Sequence, residues 1–217
     1  MADFIDEVDE EVRRERMQSL WKRWSPLIIA AVILLLAAVG GWQFWQNYRA
    51  DRAAAASAAF TAALNEAQAG KPLDAAKSFG ELAGTAGGGY AVLSRFQQAA
   101  NLIEGKDVAG AIKAYDAIAA DSAVDGRLRD LARYLAVAHG LDTLAPADAK
   151  QRLDAVSAGS PWAASVTELK ALVALKAGDR DAARKLLTGL ADDAVAPAGL
   201  RGRAAEMLAA LGGPVQQ

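Results

Sequence analysis

The chain has 217 residues, with 24 Lys and Arg against 26 Asp and Glu, one His and no Cys. The missing cysteines exclude a disulfide framework, a thiol nucleophile and a zinc-thiolate site. The formal charge of −2 arises in the first 24 residues, where seven acids meet five bases; beyond Trp24 the signs are equal at nineteen each, which gives no reason to expect a nucleic-acid partner.

Residues 1–23 form a first region. "DFIDEVDEEVRRERMQSLWKRW" reads as a helix with acids early and bases late, the order that the helix dipole favours. Phe4, Val8, Val12 and, after a gap at Arg16, Leu20 fall on one face. This arm is expected to be a solvated juxtamembrane helix, with a docking surface for a cytosolic or membrane partner as the alternative.

Residues 24–45 come next. No charged residue lies between Arg23 and Arg49, and the helix from Trp24 to Trp45 is about 33 Å long at about 1.5 Å per residue, the thickness of a bilayer's hydrocarbon core. Its aliphatic residues point all round the helix rather than along one stripe. Trp21 and Trp24 precede the run, and Trp42, Phe44, Trp45 and Tyr48 follow it, where amphipathic rings favour the headgroup level. Trp24, Leu27, Ile29, Leu35, Val39, Trp42 and Trp45 are therefore candidate membrane-anchoring residues. Ala38-Val39-Gly40 would suit a signal peptidase, but the leading segment is long and acidic for a cleaved signal, and the run is too long for a buried soluble helix. Arg13, Arg14, Arg16, Lys22 and Arg23 precede the run, so the N-terminus is expected in the cytoplasm and the rest outside, with a single crossing.

Residues 46–217 are alanine-rich helical stretches separated by short breaks with Gly, Pro or Asp. Helices are expected at about 46–69, 73–84, 90–104, 108–120, 126–140, 146–157, 161–177, 179–191 and 197–211. The first, uninterrupted by Gly or Pro from residue 42, is expected to continue from the membrane run as a stalk. Gly70, Gly105, Gly140 and Gly178 recur at intervals of 35, 35 and 38 residues. "GKPLDAAKSF", "GKDVAGAIKAY" and "GDRDAARKLL" follow three of them. The glycine permits a left-handed turn. Ala75, Ala111 and Ala183 let the next helix approach closely, and Phe79, Tyr115 and Leu187 place a large side chain one turn on. The Gly105 unit carries one extra residue before its alanine, and the Gly140 unit keeps only the glycine. In "SPWAASV", Ser160 is expected to cap a helix with Pro161 at its first position and Trp162 in its first turn. Gly70, Gly105, Tyr115, Trp162 and Gly178 are the expected repeat-packing residues, with a groove aromatic as the second reading of Trp162. The pattern resembles the tetratricopeptide repeat, a helix-turn-helix unit of about 34 residues. Four such pairs and a last helix form a curved stack suited to binding peptides or protein segments.

No catalytic, cofactor or metal residues are expected. His139 stands alone at a helix end. "GTAGGGYA" lacks the Lys-Ser/Thr of a phosphate loop. Asp179, Asp181, Asp192 and Asp193 lie at breaks, where carboxylates cap helices. The fold class is all-α: a single N-terminal transmembrane helix, then a tetratricopeptide-like solenoid.

The acidic-then-basic arm, the run ending in "GGWQFWQNYRADRAAAASAAF", the "GGGYAVLSRFQQA" start and "SPWAASV…KAGDRDAAR" together resemble the YfgM-like family, the ancillary subunits of the bacterial SecYEG translocon. Trp42, Trp45, Tyr90, Trp162, Gly178, Asp179 and Arg184 carry the resemblance. It implies an inner-membrane protein with a periplasmic repeat domain, associated with the translocon and with periplasmic chaperones that receive exported chains. The expected role is non-enzymatic protein interaction at the lipid bilayer, with homodimerisation through alanine faces left open. The alternative is a repeat scaffold for envelope assembly or cell division.

Overall fold

The computed structural model describes residues 3–212; the side chains of residues 1–16, 18–20, 23 and 28 lie outside that description, and with them the one-sided face expected of Phe4, Val8, Val12 and Leu20. Among the described residues every regular element is an α-helix. The chain divides into two compact units, Met1–Ala54 and Ala55–Gln217. The first unit consists of most of α1 (Asp3–Gln68), with Pro26 inside the helix. The helix expected at 46–69 is the later part of this same element.

The second unit holds the end of α1 and eight further helices: α2 (Pro72–Thr85), α3 (Gly88–Glu104), α4 (Val108–Ala120), α5 (Gly126–Gly140), α6 (Pro146–Asp154), α7 (Ala163–Lys176), α8 (Arg180–Asp192) and α9 (Ala198–Ala210). Their ends lie within three residues of those expected from sequence. Short loops make successive helices antiparallel neighbours. From α2 to α9 each helix packs on the next, and α7 also touches α5 and α9.

Three of the turns within pairs are built alike. The N–H groups of Lys71, Asp107 and Asp179 reach back to the carbonyls of Glu66, Leu102 and Ala174, the long bond of a Schellman ending. The residue just before each is left-handed: Gly70 (φ 76°), Lys106 (φ 65°) and Gly178 (φ 80°). The residue after it is already the N-cap of the next helix, and the carboxylates of Asp107 and Asp179 accept from the N–H of Gly110 and Ala182 at 2.9 Å. Helix end and helix start therefore share two residues. Lys71 has no capping side chain, but Pro72 follows it and has no N–H to satisfy.

Counting from these N-caps corrects the expected register. Four residues on lie Ala75, Ala111 and Ala183, each 0% exposed, and eight on lie Phe79, Tyr115 and Leu187, at most 2% exposed. The extra residue seen after Gly105 disappears, because Gly105 is not the left-handed position: its φ is −77°. A Cβ there would sit 2.4 Å from the Leu73 side chain, so this glycine serves close approach of α2 rather than the turn. The unit after Gly140 obeys the same count from its own N-cap, Ala145, which leads to Ala149 and Leu153, both buried. Gly140 itself is the buried last residue of α5, where a Cβ would meet Ile112 Cδ1 at 2.7 Å.

The core forms four clusters. Ala63 with Ala75 and Phe79 joins α1 to α2; Ala99 with Tyr115, Ile118 and Ala132 joins α3, α4 and α5. Val137 with Leu153 and Leu169 joins α5, α6 and α7; Ala171 with Leu187 and Leu208 joins α7, α8 and α9. Alanine on one helix opposite a large side chain on its partner lets backbones approach while still filling the space between them.

Candidate interaction surfaces

In the first unit, every described side chain from Pro26 to Arg52 is exposed. Leu27, Ile29, Leu35 and Val39 are each 57–62% exposed, and Leu34 reaches 72%. Trp24, Trp42 and Trp45 are 55%, 68% and 50% exposed. α1 is the helix among the described residues that is long and apolar enough to cross a membrane. Water would charge about 25 cal/mol for each Å² of apolar surface left uncovered, and a bilayer removes that cost on all faces at once. Gly40 and Gly41 have nothing near an added Cβ. At the far end, the Arg49 guanidinium lies 4.9 Å from the centre of the Trp45 ring, and that of Arg52 lies 4.7 Å from Tyr48. Both place a cation over an aromatic face, and both are side chains that can lie along an apolar surface with their charge held toward water.

In the second unit, the expected packing residues fall into different roles. Gly70 and Gly178 occupy left-handed turns; Gly105 lies under Leu73. Tyr115 is 2% exposed and stacks on His139 at 6.1 Å, with rings 7° from parallel. Burial pushes the Tyr115 phenol above its ordinary pKa. Trp162 is half-buried in the α5–α7 cluster and donates its indole N–H to the Arg127 carbonyl at 3.3 Å. Helix α7 starts at Ala163, not at Pro161, and Ser160 does not cap it: its carbonyl accepts from Ala163 and its hydroxyl from the Trp162 N–H at 3.4 Å. The bond from Trp162 to α5 fixes this turn and delays the helix. Asp193 is the C-cap residue of α8, and its carboxylate accepts from the Val195 N–H inside the turn rather than at a helix start; Asp181 pairs with Arg184 in the first turn of α8.

Neighbouring repeats are also tied by polar bonds that the sequence alone did not indicate. Arg95 of α3 meets Asp121 after α4 at 2.7 Å, and its donated hydrogen bond holds that carboxyl below the usual carboxylate range. Arg152 of α6 grips Asp116 of α4 with two bonds of 2.9 and 2.7 Å, which raise its pKa. Lys150 and Lys170 both donate to Asp154 and depress it. Lys176 donates to the carbonyls of Leu141, Asp142 and Leu144 in the loop after α5. Each joins residues 16 or more apart in sequence except Lys150 with Asp154, so no local pattern announces them.

Two adjoining clefts flank α8 and share Ala182 and Leu186. One, of about 560 Å³, lies between α7 and α8; the other, of about 470 Å³, lies between α6, α7 and α8. Ala163, Thr167, Lys170, Ala174 and Ala177 line them at helical spacing along α7. The small side chains among them, Ala163, Thr167, Ala174 and Ala177, give a shallow channel that can accept larger side chains of a partner by helix-in-groove packing.

Comparison with known proteins agrees with this architecture. The model of the tetratricopeptide repeat-like domain family matches residues 18–190. A protein of Escherichia coli named ancillary SecYEG translocon subunit is 27% identical over 177 residues, covering 81% of this chain and 84% of the relative. The protein of that name from Haemophilus influenzae is 27% identical over 104 residues, 48% of this chain. The match spans about half, 51%, of that relative's length. No solved structure matches the chain. With a family match over most of its length, and with the run, turns and repeats described above, the chain belongs to the tetratricopeptide repeat-like domain family and is YfgM-like.

Proposed function

We propose that this protein is a membrane-anchored, non-enzymatic interaction subunit ancillary to the SecYEG translocon. Residues 1–23 form the cytoplasmic arm, 24–45 the span of the inner membrane, and 46–217 the periplasmic domain. Carrying this reading is one observation: a helix that exposes large apolar side chains on all its faces precedes a tetratricopeptide-like stack, in a chain matched over 81% of its length by a relative bearing that subunit's name. The span supplies lateral contact with other membrane helices, where close packing rather than hydrophobic exclusion drives association. The stack supplies grooves for periplasmic chaperones or exported chains. Excess Lys and Arg before the span sets the orientation.

The test is photocrosslinking in intact membranes from Ile29, Leu35 and Val39, each replaced in turn by a light-activated residue. An adduct to a translocon subunit from one helical face is expected. Adducts only to lipid or to a second copy would overturn the translocon assignment and leave the periplasmic scaffold reading. A chain lacking residues 24–45 should lose co-isolation with the translocon; retention at the original level would show that the span is not the docking element.

A further inference from the structure

The apolar run of α1 ends in a one-sided cluster of rings and cations. Phe44, Trp45, Tyr48, Arg49 and Arg52 fall within about 140° of one another around the helix, at about 100° per residue. Phe44 stacks on Tyr48 at 6.5 Å with rings 12° from parallel, and Trp45 meets Tyr48 at 6.4 Å. The three rings are 73%, 50% and 42% exposed. On this strip lie both guanidinium groups, Arg49 over Trp45 and Arg52 over Tyr48. The opposite side of the same stretch holds Gln43, Gln46, Asn47 and Ala50, with no base.

Stacking on a ring fixes the plane of each guanidinium and leaves its edge N–H groups able to donate. Among the described residues no ion pair engages either one. Asp51, the nearest carboxylate in sequence, lies about 100° round the helix from Arg52 and about 160° from Arg49. Depth along the axis points to lipid headgroups. Helical side chains lean toward the N-terminus, which here is toward the apolar run, so each arginine reaches back one turn. Tyr48, under Arg52, is three residues past Trp45, about 4.5 Å along the axis. That lies within the roughly 5–8 Å that headgroups add on each side of the hydrocarbon. Both guanidinium forks are therefore held at the level of lipid phosphates, whose paired oxygens they match in geometry and charge.

We propose that Arg49 and Arg52, held on Trp45 and Tyr48, bind the phosphodiester of an anionic phospholipid at this end of the span. The inference rests on the reading of residues 24–45 as a span. A lipid such as phosphatidylglycerol presents its phosphate without a cation. Phosphatidylethanolamine brings an ammonium group, and the cluster has no carboxylate to receive it, so the anionic lipid is preferred.

The test is native mass spectrometry of the full chain in detergent with phosphatidylglycerol and phosphatidylethanolamine in equal amounts. Phosphatidylglycerol adducts are expected to dominate, and Arg49→Gln with Arg52→Gln should lower their ratio to the other lipid by at least about fivefold. Trp45→Leu with Tyr48→Leu keeps both charges but removes the rings, and should lower the ratio less. Equal adducts on the unsubstituted chain, or a ratio that the arginine variant leaves undiminished, would overturn the proposal. Inorganic phosphate at the lipid's concentration should not displace phosphatidylglycerol; full displacement would make this a site for free phosphate and reject the lipid assignment. Alkaline extraction of membranes separates this inference from the span on which it rests. Release of the unsubstituted chain would sink both, whereas a chain that stays in the membrane without lipid preference would sink this proposal alone.

Discussion

Leu34 and Phe79 are both large apolar side chains, yet one is 72% exposed and the other 0%. The difference separates two regions that use hydrophobicity in opposite ways. Residues 24–45 carry bulky side chains outward on all faces of one helix, and among the described residues nothing covers them. The repeats spend few bulky residues and bury each against alanines of a neighbouring helix. A helix of the first kind is complete in itself once lipid surrounds it, since its backbone bonds are internal. A helix of the second kind has no stable state apart from its partners. Exposure in the first region is thus a statement about solvent, and burial in the second a statement about neighbours.

The strongest way to break this contrast is to put charge in the first region. Leu34→Asp combined with Leu35→Asp should cost about 3 kcal/mol for each aspartate at the centre of a span. Alkaline extraction should then release the protein from membranes while the repeats keep their melting transition; release with loss of repeat helicity would mean that the regions are not independent. In the second region the order reverses. Phe79→Ala should cost about 3–5 kcal/mol and Leu153→Ala about 2–5 kcal/mol, read from urea unfolding by circular dichroism, whereas Leu34→Ala should leave that transition unchanged.

Smaller effects sharpen the account of the turns. Lys106 holds a left-handed conformation with a side chain, at φ 65°. Lys106→Gly should stabilise the stack by about 0.5–1 kcal/mol, the net of relieved backbone strain and greater freedom of the unfolded chain. Gly178→Ala, at φ 80°, should destabilise it by about 1 kcal/mol. The same pair of measurements would fail together if the left-handed positions were misassigned.

Acid should give the smallest effect. Asp121 is held below its ordinary value of 3.8 by the Arg95 hydrogen bond, and Asp154 by bonds from Lys150 and then Lys170. A carboxylate with a depressed folded pKa contributes stability above its unfolded value and loses it as pH falls through the folded one. Both contributions are therefore full at neutral pH, begin to fall near pH 3.8 and are lost as pH drops further through the depressed folded values. Asp154 is partly solvated, so Asp154→Asn should cost about 0.5 kcal/mol or less at pH 7 and nothing in strong acid. Unfolding midpoints of the two chains should converge on acidification; an Asn variant weaker at every pH would point to lost packing rather than lost charge.

Helix placement was legible because Gly, Pro and Asp punctuate long alanine-rich stretches, and the apolar run because its period matches no one-sided stripe. Three features misled. A glycine before a helix start predicts the left-handed residue, whereas at Gly105 the close approach of Leu73 claims the glycine and Lys106 takes the strained position. Gly140 fell at the right interval by serving contact with Ile112, while the true repeat start lies at Ala145. Ser160 and Pro161 carried a capping signal that a distant bond, from Trp162 to Arg127, overrode.

Sequence by itself determined which stretches are helices, that one of them suits a bilayer, and that the rest repeat at near 34 residues. These depend on local composition, backbone chemistry and spacing, all of which are properties of neighbouring residues. Only the tertiary structure decided the register of the repeats, the polar ties between them and the clefts along α7. Those arise between residues on different helices, far apart in sequence, where side-chain volume and charge meet only after the helices have stacked.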